Sequence, residues 1–125
     1  MKEIEFIGLE MSMEHAAFQA FKHTNFKIGV IAPKFQMLQN ARESLNLNVR
    51  SIDSGSICKL TETRFSLQNG SDIFLMTTTQ NEPWRGMKFD MVFVLFEPLP
   101  HRMKLSLIPT LACNPNGILY TVYDR

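Results

Sequence analysis

Apolar residues along this chain occur in two arrangements that alternate: short unbroken runs, and longer stretches in which they return every three or four positions. Residues 3–8, Glu-Ile-Glu-Phe-Ile-Gly, form a run ending at Gly8, which predicts a buried strand entering a turn. Over residues 11–23 the positions Met13, Ala16, Ala17, Phe18, Ala20 and Phe21 recur at helical spacing, with Ser12 as the expected N-cap. Residues 26–32, Phe-Lys-Ile-Gly-Val-Ile-Ala, predict a second strand stopped by Pro33. Phe35, Leu38, Ala41, Leu45 and Leu47 then give a second helical period. Strand, helix, strand, helix is the order of a parallel sheet with crossover helices.

The pattern changes in the middle. Residues 56–63 and 64–68 are strand-like, and Asn69-Gly70 predicts a type I′ hairpin turn before residues 71–78, so an antiparallel hairpin is expected within the sheet. A polar loop, residues 79–88, carries Pro83, Trp84, Arg85 and Gly86. Residues 89–96 return to an apolar run bounded by Glu97-Pro98, the best candidate for a central strand. Pro100 opens a short amphipathic stretch reaching Leu111, and Asn114-Pro115-Asn116-Gly117 turns the chain into a last strand, residues 118–123. With no internal repeat, residues 1–125 are expected to form a single α/β domain.

Composition narrows the function classes. A chain that is 45% hydrophobic and 20% charged has the balance of a packed globular domain and not of a disordered one. Thirteen Lys and Arg against 12 Asp and Glu leave a formal charge of +1, so no overall field draws the protein to nucleic acid or an anionic membrane. Lys22, Lys27, Lys34, Arg42 and Arg50 are spread over several elements, the pattern of a solvated face. No stretch approaches the roughly 18 apolar residues of a membrane span, and residues 1–5 lack a signal peptide's apolar stretch, so a cytoplasmic location is expected. Cys58 and Cys113 lie far apart in apolar surroundings, which predicts reduced, buried thiols. His15, His23 and His101 have no partner at metal-ligand or catalytic spacing and read as surface or helix-end residues. No metal or cofactor is expected.

The strand, turn and helix of residues 3–22 are the setting in which a phosphate-binding loop is found, where backbone amides and a helix N-terminus cradle phosphates and a Lys and a Ser/Thr complete the site. Here the turn reads Gly8-Leu9-Glu10-Met11-Ser12-Met13-Glu14, and Ser12, Met13 and Glu14 stand where Gly-Lys-Ser/Thr would close such a loop. The same segment reads equally well as an ordinary strand-to-helix turn. A second candidate is Met91-Val92-Phe93-Val94-Leu95-Phe96-Glu97, an apolar run followed by Phe96 where a metal-binding Asp would stand, and then Glu97. A Glu at a strand end suits a water-activating base, yet without a phosphate Lys and a metal-organising Asp it has little to act on.

Taken in order, KIGVIAPKFQMLQNARESL, RFSLQNGSDIFLMTTT, WRGMKFDMVFVLFE and NPNGILYTVYD resemble the ATPase domain of phage terminase large subunits, the DNA-packaging motors. The correspondence rests on Ala32-Pro33 before a helix, Asn69-Gly70-Ser71 in a hairpin, Arg85-Gly86 ahead of the Walker B strand, Glu97 at that strand's end, and Thr121 in the coupling strand. It covers the sequence from about Ile4 onward. The resemblance implies a single three-layer P-loop-NTPase-like domain, with a mainly parallel sheet and an inserted antiparallel hairpin, and a phage or mobile-element origin. It also places Gly8, Ser12, Met13, Glu14, Phe96, Glu97 and Thr121 at a degenerate nucleotide site. The phosphate-loop Lys and Thr are Met13 and Glu14, the Walker B Asp is Phe96, and the sequence ends at Arg125, just after the coupling strand.

A scaffold kept while its catalytic groups are replaced implies a pseudo-ATPase, not an enzyme, that binds another protein, with Trp84 and Arg85 as candidate contacts because Trp and Arg are favoured at interface hot spots. The expected partner is a packaging component or a host or defence factor, with homodimerisation through an open sheet edge as a further expectation. The alternative expectation is a module that binds nucleotide or nucleic acid without hydrolysis.

Overall fold

A computed structural model describes residues 2–78, 82–95, 99–112 and 114–123. Its elements are β1 (Lys2–Ile7), α1 (Leu9–Lys22), β2 (Lys27–Ala32), α2 (Phe35–Asp53), a 3-10 turn (Ser54–Ser56), β3 (Ile57–Leu60), β4 (Arg64–Leu67), β5 (Asp72–Thr77), β6 (Met91–Leu95), α3 (His101–Ala112) and β7 (Ile118–Tyr123). The strands form one seven-stranded sheet in the order β1-β7-β6-β2-β5-β4-β3. β1, β7, β6, β2 and β5 run parallel; β4 and β3 are antiparallel. The expected α/β class, a mainly parallel sheet with an antiparallel hairpin, is what is found.

Successive residues of a strand point to opposite faces, and this sorts the core into two layers. On β6, Met91, Phe93 and Leu95 join a cluster with Met13, Ala16, Ala17 and Ala20 of α1 and Leu38, Ala41, Leu45 and Val49 of α2. Val92 and Val94 join a second cluster on the other face with Trp84, Phe89 and Leu107 and Leu111 of α3. Every residue of β6 is buried, which is why its sequence shows no polar alternation. The helices therefore lie on both sides of the sheet, α1 and α2 on one and α3 on the other.

A buried carboxylate ties the neighbouring strands β2, β5 and β4 together. Asp72, 5% exposed, accepts hydrogen bonds from Lys27 Nζ at 2.5 Å, Arg64 Nε at 3.0 Å and Ser66 Oγ at 2.6 Å. Burial alone raises a carboxyl pKa, but the Lys27, Ser66 and Arg64 hydrogen bonds and the Lys27 charge outweigh it and hold Asp72 below the ordinary range.

The structure corrects several details. α1 begins at Leu9 with Gly8 as its N-cap; Ser12 lies inside the helix and donates to Leu9 O at 2.8 Å. α2 continues past Leu47 to Asp53. At the Asn69-Gly70 turn it is Gly70, and not Asn69, that takes a positive φ, 86°. The connection has three residues, closed by Gly70 N–H to Leu67 O at 3.0 Å and Leu67 N–H to Ser71 O at 2.9 Å, in place of a two-residue type I′ turn. Cys58, expected to be buried, is exposed on β3; Cys113 lies outside the described residues. β1 and β3 are the two edges of the sheet, and β3 is four residues long with an irregular register between Ile57 and Lys59. Among the described residues no helix is long and apolar enough to cross a membrane.

Candidate functional site

Open parallel sheets hold ligands beyond the carboxyl ends of their strands, which here is the edge where β1 passes into α1. Gly8 alone makes that passage. At φ 93° and ψ 127° it turns the chain from strand to helix in one residue, in a conformation that glycine adopts at least cost. Its N–H donates to Tyr123 O at 2.8 Å and its carbonyl accepts from Ser12 N–H at 3.2 Å.

The described residues expected at a nucleotide site do not converge. Ser12 and Met13 are both 0% exposed, with Met13 packed into the α1–α2 core. Glu14 is exposed on the outer side of α1. Thr121 on β7 is paired with Glu5 of β1 and Val94 of β6, and it lines a cavity of about 80 Å³ with Leu99, Lys104 and Leu119, on the α3 face of the sheet. Gly8 sits at the carboxyl edge without these companions. Phe96 and Glu97 lie outside the described residues.

Of the two expected partner contacts, Trp84 is enclosed at 0% exposure and its indole Nε1 donates to Ser106 Oγ of α3 at 2.8 Å. The expectation of a partner-facing Trp84 is thereby corrected: the side chain fills the core between sheet and α3. Arg85 keeps an exposed side chain and forms an ion pair with Glu82, whose backbone takes a positive φ of 46°. The Arg85 hydrogen bond holds the Glu82 carboxyl below its ordinary range.

A depression of about 560 Å³ lies between β1, α1 and α2, lined by Phe6, Met11, Glu14, His15, Phe18, Asn48, Ser51 and Ile52. Sequence reasoning placed His15 at the surface; it is half-buried instead. His15 Nε2 lies 3.0 Å from Tyr120 Oη, and its ring packs against Phe6, Phe93 and Tyr120. Burial holds the imidazole below its ordinary pKa and pushes the Tyr120 phenol up. The separation of 105 residues between His15 and Tyr120 explains why no local pattern announces the pair. His23 at the C-cap of α1 and His101 at the start of α3 are placed as expected.

Around this depression Met11, Phe18 and Ile52 are 59%, 56% and 45% exposed. Among the described residues no three His, Cys, Asp or Glu side chains lie close enough to hold a metal. Among the basic residues, Lys27 is bonded to Asp72 and Gly70 O, Arg42 donates to Thr61 O and lies over the Phe65 ring, and Arg50 donates to Asn46.

Comparison with protein-family models and with curated protein sequences gives no match. Among solved structures the chain is similar to the large terminase ATPase domain of Thermus phage P74-26, with a TM-score of 0.80 at 15% identity, over 99% of this chain and 60% of that one. An arginine-to-alanine variant of the same domain gives 0.80 at 14%. The large terminase of bacteriophage HK97 gives 0.70 at 9% identity, over 98% of this chain and 29% of that one. The chain thus has the fold of phage large terminase ATPase domains and spans 60% of the first two of these chains and 29% of the third.

Proposed function

We propose that this is a non-catalytic protein of phage or mobile-element origin, which uses a terminase-like pseudo-ATPase fold to bind and modulate another protein, either a packaging component or a host or defence factor. The observation that carries the reading is the one-residue link at Gly8. A phosphate cradle needs several consecutive backbone N–H groups curling around the anion and a lysine reaching into it. Here strand becomes helix within one residue, the residue standing for the lysine is Met13, and that side chain is enclosed in the core. Loss of a single phosphate or metal contact typically costs several kcal/mol of transition-state stabilisation. With turnover unsupported, the apolar surface around Met11, Phe18 and Ile52 favours a role in contact with another protein.

Two measurements test this. The purified protein should release no inorganic phosphate from ATP with magnesium, and titration calorimetry with millimolar ATP should show no heat. Affinity capture from cells carrying the phage or element should recover a defined protein in stoichiometric amount. Phosphate release abolished by Glu97→Gln would sink the non-catalytic part. A binding heat without hydrolysis would favour a nucleotide-binding module instead.

A further inference from the structure

We propose that the outer edge of β1 is a docking site for an extended polypeptide segment alternating basic and large apolar side chains, which joins the sheet as an added strand. The inference rests on the protein-binding reading above and gives it a surface. Lys2 N–H donates to Gly117 O at 2.9 Å and Gly8 N–H to Tyr123 O at 2.8 Å, so the even-numbered positions of β1 bond toward β7. By the alternation of a parallel ladder, the N–H and C=O groups of Glu3, Glu5 and Ile7 face away from the sheet, and β1 pairs with β7 alone among the described strands. That is a row of hydrogen-bonding groups offered to an incoming strand.

The side chains on either face of this edge specify what fits. Ile4 and Phe6 point to the α1 face, packed against the core, and Phe6 continues into the apolar surface of Met11 and Phe18. An added strand standing about 5 Å outside β1 lays every second side chain on that surface. On the α3 face the edge carries Glu3, Glu5 and, at its end, Ile7, all exposed. Glu3 reaches Lys104 Nζ at 2.5 Å, which leaves Glu5 to dominate the local charge. The side chain of the incoming strand that stands opposite Glu5 therefore meets a free carboxylate, and Lys or Arg pairs with it.

A second copy of this chain fits poorly. Antiparallel self-pairing that joins the outward groups of Glu3, Glu5 and Ile7 sets Glu5 opposite Glu5 in one register and Glu3 opposite Glu5 in the next, where like charges directly opposite destabilise the pair; the register that avoids this sets the apolar Ile7 opposite Glu5, which leaves the carboxylate without a cation.

The test uses the full chain with three short peptides: alternating Lys-Val, alternating Glu-Val, and Lys-Val methylated at the backbone nitrogens of one edge. Lys-Val peptide should slow hydrogen exchange at the Glu3, Glu5 and Ile7 amides by about tenfold or more at saturation, and the methylated peptide should not. Glu5→Lys, a change at an exposed position, should weaken Lys-Val binding by about threefold or more and improve Glu-Val binding. Equal binding of the two charge types, or unchanged exchange at those amides, overturns the proposal. A dimer whose β1 amides are protected without peptide also overturns it, by giving the edge to a second copy. If a natural partner is captured equally by wild type and Glu5→Lys, this site fails while the protein-binding reading stands. If Lys-Val docks at β1 but no natural partner is recovered, that reading fails and the edge chemistry survives.

Discussion

Met13 shows how a residue's position along the chain and its position in space can point to different roles. Aligned by sequence it replaces a phosphate lysine; in the fold it is a core side chain at 0% exposure, on the same helical stripe as Ala16, Ala17 and Ala20. Met13→Lys should therefore fail to create an ATP site. It should lower stability by roughly 3 kcal/mol or more, since an ammonium would be enclosed without a partner, whereas Met13→Leu should cost less than about 1.5 kcal/mol. Urea titrations of the two variants, with ATP calorimetry on the first, check both statements. The burial of Met13 was legible from helical spacing. The place where the helix begins was not, because Ser12 is a good N-cap by type and Gly8 a good turn residue, and local propensity does not rank them. What favours Gly8 is Tyr123 O, 2.8 Å from its N–H, a partner from the far end of the chain. Trp84 and His15 escaped local reading in the same way: the first is fixed by Ser106 and the second by Tyr120.

At the scale of elements, the turn around Asn69 does more than reverse the chain. Its side-chain amide donates to Ala20 O at 2.8 Å and to His23 O at 3.0 Å, and Ser71 Oγ donates to His23 O at 2.8 Å. Carbonyls at a helix end lack intrahelical partners, so this hairpin closes α1. Asn69→Ala should destabilise the protein by about 1–2 kcal/mol and speed hydrogen exchange in the last turn of α1 more than in β4 or β5. Thermal denaturation and residue-resolved exchange test the two parts separately. Sequence signalled the turn through Asn-Gly, but the capping role spans 49 residues and left no local trace. α2 was read too short. Beyond Leu47 the helical period in fact continues through Val49, buried beside Leu45, to Ile52, interleaved with polar residues that bond along the helix, Asn48 to Ser44 O and Arg50 to Asn46, before Asp53 accepts from Gly55 N–H and Ser56 Oγ.

For the molecule as a whole, the five parallel strands were legible as apolar runs, but their order was not. β1 and β2 are joined by one helix yet separated by β7 and β6, and the first strand pairs with the last, Lys2 opposite Ile118. Because one sheet serves both apolar layers, the two should be lost together. Trp84, the sole tryptophan, reports on the α3 layer. Its fluorescence should change at the same urea concentration as the far-ultraviolet circular dichroism of the whole chain, as two-state unfolding requires. An earlier fluorescence midpoint would mean that α3 and Trp84 peel away from a sheet that stays folded.

The far margin of the sheet behaves differently from β1. β3 is only four residues long, its register is interrupted, and Lys59 stands exposed upon it, features that keep a strand from serving as a template. With β1 as the proposed docking edge, the sheet has one adhesive side and one blunt side. Growth by strand addition needs a sticky border at each end of every unit; with a single such border it ends after one step. Strand addition at β1 as proposed should therefore stop after one added strand and give closed complexes instead of fibrils.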